Sequence, residues 1–367
     1  MMKDDPPEYR KDIASQFLGA TDRNLEAYFR VYEELLIDAD AHLLQIGQPV
    51  SIDLAPITHR DVSVAAKVIR ENADKTLHQI TLHLQEQLQV TSSTPRANLA
   101  IRVAVRAMFM LDSAVSDSHG PGFTVGRYRH VSWQPTEPFH EFVSRCFRIS
   151  SHESESVMDA LADKRSLKAW KLKTRLGITF KATDNIAQHL LLDTDNGILY
   201  LFHHTSFLKA QLSRLQGDGS DNKEDVLAYL SRGTLPPRLL AETLHSLQSI
   251  LFHWSDERSS RILGQLIQKK GFDQDCAEPE DYKIFDDTLD NFEYLYWGHR
   301  LAEIYDLVMD RPPKNWFERW IKWQTSESNA FALALAALAI SIIVGCLSLG
   351  LSALQVWIAW RAWKDSL

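Results

Sequence analysis

The sequence predicts a mainly α protein: a helical cytosolic body with a minor β-hairpin element, followed by one C-terminal transmembrane helix. Three observations predict it. Apolar residues recur at spacings of three and four through most of the chain, the signature of amphipathic helices. One stretch near residues 178–203 is instead rich in β-formers around an Asn-Gly turn. An uncharged stretch runs from Ser328 to Trp360, close to the C-terminus.

The elements follow in order. From Asp22, the residues Leu25, Tyr28, Phe29, Tyr32, Leu35, Leu36, Ala39, Leu43 and Ile46 share one helical face, stopped at Gly47-Gln48-Pro49. After Pro56 a second periodic run, Val62 to Leu88, reads as one helix that ends at the Thr91–Pro95 cluster. A third, residues 97–111, is apolar nearly all round and reads as the centre of a three-helix bundle. His78 and His83 lie five apart on the second helix, a spacing that suits solvated side chains and not a shared metal.

Residues 116–136 read as a loop. Its glycines, Gly120, Gly122 and Gly126, have the wrong spacing for a dinucleotide fingerprint and mark a domain boundary. The expected divisions are 1–126, an N-terminal helical bundle; 127–310, a helical domain with a small β element; 311–329, a juxtamembrane interfacial helix; 330–358, the transmembrane helix; and 359–367, a short tail.

Phe139, Phe142, Val143 and Phe147 give the next helix an aromatic face. Beyond it, Lys164, Lys168, Lys171 and Arg175 are spaced four, three and four, so one continuous helix would place them on one face. That face is a candidate surface for anionic lipids or an acidic protein partner. The acidic stretch 273–293 is a candidate to oppose it within the fold.

In the β-rich stretch, Ile178-Thr179-Phe180 reads as a strand, with Thr183 or Asp184 capping a short helix through His189. Asp195-Asn196-Gly197 reads as a turn, and Ile198 to His203 as a strand. The run from Asp193 to Gly197 lacks the spacing of a calcium loop. His203 and His204, adjacent on a strand, are expected to point to opposite faces. No catalytic, metal-ligating or cofactor-binding motif is complete. Later helices break at Gly233 and at Pro236-Pro237, and the last amphipathic helix of the body runs from Tyr294 to Met309.

Near the C-terminus, Trp316, Phe317, Trp320 and Trp323 share one side of a short helix with a capping box at Asn315 and Glu318, and are expected in the membrane interface. Trp357, Trp360 and Trp363 do the same at the far end. The 25 residues from Ala330 to Leu354 make a helix of about 37 Å, against a hydrocarbon core of about 30 Å. Ala337, Ser341 and Gly345 form a small-residue stripe, a candidate for self-association of the span into a homo-oligomer.

Composition narrows the function classes. The net charge of −8 gives no general attraction to nucleic acid. The acidic N-terminus has no apolar core of signal-peptide length, and three scattered cysteines make no disulfide framework. Four basic residues against one acid over 311–323, and two against one after the span, favour a body facing the cytosol. The expected host is an organelle such as the endoplasmic reticulum or the mitochondrial outer membrane.

The stretch AWKLKTRLGITFKATDNIAQHLLLDTDNGILYLFHHTSFLKAQL resembles a recurrent segment in uncharacterised single-pass membrane proteins of filamentous fungi. Residues Gly298–Tyr305, Arg311-Pro312-Pro313 and Gln355–Lys364 extend the resemblance over 165–367. It implies a fungal, C-terminally tail-anchored protein and carries no activity. The function expected is a membrane-tethered interaction or scaffold protein without a cofactor; the alternative is an enzyme using the His203/His204 region.

Overall fold

A computed structural model describes residues 8–19, 24–45, 56–88, 94–114, 124–125, 128–149, 155–216, 225–279, 294–310 and 327–364. The chain divides into two units, Met1–Met309 and Asp310–Leu367.

The first unit opens with α1 (Glu8–Ile13), which runs into a π turn closed by Gly19 at φ 64°. Four longer helices follow: α2 (Glu26–Gln45), α3 (His59–Glu71), α4 (Leu77–Leu88) and α5 (Thr94–Phe109). α5 packs against α2, α3 and α4, and Ala100, Ala104, Val105 and Phe109 are fully buried along it. The all-round apolar helix is therefore the central one. The single helix expected over residues 62–88 is two. Asn72 bonds back to the Val68 carbonyl through both its main-chain N–H (3.1 Å) and its Nδ2 (2.9 Å), ending α3. Thr76 then starts α4 by exchanging bonds with Gln79: the Thr76 N–H donates to Oε1 and the Gln79 N–H to Oγ1. Thr58 and Asp61 form the same capping box at the start of α3.

The division expected at residue 126 is not one between cores. One apolar cluster runs from Ile13 to Ile304 and joins side chains from both sides of it. Trp133 and the aromatic face of α6 (Phe139–Cys146) pack together in this cluster, with the Trp133 ring centroid 4.9 Å from that of Phe139 and 5.8 Å from that of Phe142.

Residues 155–176 do not form one helix. They comprise α7 (Glu155–Ala162), a 3₁₀ turn (Lys164–Leu167), α8 (Ala169–Lys171) and a π turn (Leu172–Leu176), with an extended kink at Lys168, ψ 135°. Leu167, Ala169 and Leu172 are all fully buried, and their spacing of two and three does not suit one face of a regular helix. At the kink the Trp170 N–H donates to Ser259 Oγ instead of to its own helix.

The sheet has three strands: β3 (Thr179–Thr183), β4 (Leu191–Asp193) and β5 (Ile198–Phe202), in the order β3-β5-β4. β4 and β5 form a hairpin at the expected Asp195-Asn196-Gly197 turn, with β4 a strand that the sequence did not mark; it is closed by the Asp193 carboxylate, which accepts from the N–H and Nδ2 of Asn196, and by Gly197 at φ 64°. β3 adds to β5 in parallel, in a register that pairs Thr183 with Phe202. Both strands thus end at the same edge. A separate antiparallel pair, β1 (Thr124–Val125) and β2 (Tyr128–Arg129), lies outside this sheet.

The remaining helices of the unit are α9 (Thr205–Gln216), α10 (Val226–Arg232), α11 (Pro237–His245), α12 (Glu257–Lys270) and α13 (Gly298–Asp310). The lead-in to α13 is held by Glu242 of α11. Its buried carboxylate accepts from the N–H groups of Leu295 (2.6 Å), Tyr296 (2.9 Å) and Trp297 (3.0 Å).

Among the described residues the second unit contains one helix, Glu327–Lys364, so the expected tail is helical as far as Lys364. Its window Ile340–Ile358 has a mean hydropathy of 1.9, and none of it is buried within the protein. At about 1.5 Å per residue this window spans about 28 Å, close to a bilayer's hydrocarbon thickness. One C-terminal helix is therefore long and apolar enough to cross a membrane.

Candidate functional site

The parallel pairing of β3 with β5 brings together residues that stand far apart in the chain. Asp184 leaves the end of β3 and His203-His204 leave the end of β5. Both imidazoles turn to one carboxylate oxygen: Asp184 Oδ1 lies 3.3 Å from His203 Nε2 and 2.7 Å from His204 Nε2. The ring centroids are 4.0 Å apart. The expectation that the two histidines face opposite ways is overturned, because the strand ends at Phe202 and pleat alternation stops with it.

Local hydrogen bonding fixes the arrangement. The helix cap expected of Thr183 or Asp184 is supplied by Asn185, whose Oδ1 accepts from the Ala187 N–H. Asp184 is thereby left to the histidines. His203 Nδ1 accepts from the Asp273 N–H at 3.2 Å, which places its ring proton on Nε2, facing Asp184. The Asp273 carboxylate in turn accepts from the N–H and hydroxyl of Ser206 and so caps α9. Thr205, the first residue of α9, donates its hydroxyl to Cys276 Sγ. Lys209, fully buried, donates to the Glu278 carbonyl at 2.6 Å. The loop after α12 therefore locks the segment that carries both histidines.

Burial differs across the cluster. His203 and His204 are buried, whereas the Asp184 side chain is 37% exposed. Burial opposes ionisation of Asp184, but hydrogen bonds from both histidines outweigh it and hold its carboxyl well below the usual range. Burial also pushes His203 down to about 4, helped by the neighbouring His204 and opposed by Asp184. His204 Nδ1 is buried and has no hydrogen-bond partner. Two imidazoles and one carboxylate, their ligating atoms all within 4.8 Å of one another, make a cluster able to hold a metal ion. Sequence reasoning found no metal site because the spacing of 19 and 20 residues between Asp184 and the histidines follows no motif; it follows from the strand register.

A third histidine, His189, approaches a serine: its Nε2 is 2.7 Å from Ser246 Oγ. This pair is not a nucleophile and its base. His189 Nδ1 accepts from the Phe202 N–H, so the neutral ring carries its proton on Nε2 and donates it to the serine. Ser246 Oγ donates onward to the Thr243 carbonyl. Arg300 donates to the His189 carbonyl and stacks over Trp297, with its guanidinium carbon 4.9 Å from the ring centroid.

The basic residues chosen from spacing do not share a helical face, since three short segments and a kink carry them. Lys168 Nζ is 3.9 Å from Asp256, and Lys171 lies 6.0 Å from the centroid of the Trp170 ring. Burial and then the nearby Arg175 lower the Lys171 ammonium. The acidic residues expected to oppose this stripe go elsewhere where they are described: Asp273 to Ser206, and Asp275 to Lys209 at 3.8 Å. Residues 280–293 lie outside the described residues. A groove between β3 and α12 is lined by Lys173, Phe180, Leu266 and Lys269; neither Asp184 nor the histidine pair belongs to it.

Of the residues expected at the membrane, Trp357 and Trp360 are exposed on the terminal helix, as are Ser341 and Gly345. Ala337 and Trp363 lie on the same helix, with side chains outside the description. Trp316, Phe317, Trp320 and Trp323 lie outside the described residues. Compared with protein-family models, with curated proteins and with solved structures, the chain matches none.

Proposed function

We propose that this chain is a membrane-anchored interaction protein. Its helical body is held at a bilayer by the terminal helix and faces the cytosol. The observation that carries this reading is the Ile340–Ile358 window, uncharged, strongly apolar on average and buried nowhere in the protein. The flanking charge supports the orientation, with four basic residues before the span against two after it. Free Cys146 and Cys276 in the body suit a reducing compartment. The resemblance of residues 165–367 to single-pass fungal proteins supports the same assignment. Anionic lipid headgroups are the natural partner of the cationic residues near Lys171.

Carbonate extraction of membranes from cells producing the full chain is the direct test. The full chain should stay in the pellet, and a version ending at Met309 should move to the supernatant. Protease added to sealed vesicles should digest the body. Full-length protein in the supernatant, or a protected body, overturns the reading.

A second reading, an enzyme working at the histidine pair, draws support from the convergence of His203 and His204 on Asp184. It predicts that Asp184→Asn abolishes the cellular effect of the chain while leaving it folded and anchored. An interaction role predicts that the effect survives.

A further inference from the structure

We propose that Asp184, His203 and His204 bind one first-row divalent metal ion, with zinc as the reference ion. This inference concerns the body alone and stands whether or not the terminal helix enters a membrane.

The donor set selects the ion class. Two imidazole nitrogens and one carboxylate oxygen suit zinc and its first-row neighbours, whereas calcium and magnesium take oxygen ligands. The spacing fits as well. Bonds of about 2.0–2.2 Å around a tetrahedral ion put its ligands about 3.4 Å apart. The carboxylate oxygen already stands 3.3 and 2.7 Å from the two ring nitrogens, and all three ligand atoms fall within 4.8 Å. The histidines are buried, and the partly exposed Asp184 gives the ion a way in from solvent. Three protein ligands with one side open leave a coordination position for water or a substrate.

Proton placement supports the two histidines unequally. An ion on Nε2 requires the ring proton to sit on Nδ1. His204 can make that change without losing a bond, because its buried Nδ1 has no partner. His203 must give up the bond its Nδ1 accepts from the Asp273 N–H at 3.2 Å. His204 and Asp184 should therefore dominate affinity, with His203 the weaker third ligand.

The test uses full-length protein purified in detergent, stripped with chelator and titrated with zinc against a chromogenic competitor. The expected result is one zinc per chain. Asp184→Asn and His204→Gln, each close in size to the native residue, should weaken binding by more than about 100-fold, above the usual loss for a residue that only supports a ligand. His203→Gln should weaken it less, and His78→Ala should leave it unchanged. Circular dichroism checks the fold of each variant, and Asp184→Asn, at the partly exposed position, serves if His204→Gln unfolds. Wild-type protein that takes up no zinc overturns the proposal. So does binding that survives intact in the folded Asp184→Asn protein.

Discussion

His189 is completely enclosed, and both of its ring nitrogens are committed, one to the Phe202 N–H and the other to Ser246. Burial, reinforced by the Arg300 guanidinium, pushes its pKa down to about 3. His245 is lowered to about 3 by burial first and then by nearby cations, Lys164 foremost. Together with His203 these rings stay neutral in the fold. In the unfolded chain each takes up a proton near pH 6.5. The unfolded state therefore binds more protons between pH 6.5 and about 4, and stability falls as pH drops through that window. The slope is about 1.4 kcal/mol per pH unit for each such histidine. Urea unfolding at pH 7 and pH 5 measures it. His189→Asn should flatten the slope by one histidine's share, and an unchanged slope would mean that His189 titrates normally in the fold.

At the scale of elements, the joints between helices are polar and carry stability out of proportion to their size. Glu242 satisfies three N–H groups ahead of α13 from inside α11. Removing it leaves buried donors without an acceptor, so Glu242→Ala should destabilise by about 3–5 kcal/mol. Glu242→Gln keeps one acceptor oxygen and should lose less, as denaturant midpoints would show. Thr58 caps α3, and its partner Asp61 also pairs with Arg96 of α5 at 2.9 Å. Thr58→Ala should cost about 1 kcal/mol, the usual value of a lost N-cap. Equal stability in either alanine variant would mean that water replaces the missing acceptor.

For the whole molecule, the body's apolar core is assembled from side chains of the first unit, in one cluster from Ile13 to Ile304. A version ending at Met309 should melt within about 2 °C of the full chain, since a stability change of about 1 kcal/mol shifts a domain of this size by roughly that much or a little less. A large drop in melting temperature would show that the terminal helix contributes to the body's stability.

Periodicity and composition determined most of the helices, the Asp195–Gly197 turn and the long apolar C-terminal helix, because each follows from near neighbours in the chain. Repeats of three and four, turn residues and an unbroken apolar run are local signals. Tertiary structure decided where helices join, how the 155–176 segment kinks to bury Leu167, Ala169 and Leu172, and which residues meet at the histidine pair. The Asp184 cluster depends on β3 adding in parallel to β5, and that choice is made by packing across the sheet. Side chains brought together by strand register leave no mark in sequence spacing, because the separation of 19 and 20 residues reflects the length of the intervening crossover and not the chemistry at its ends.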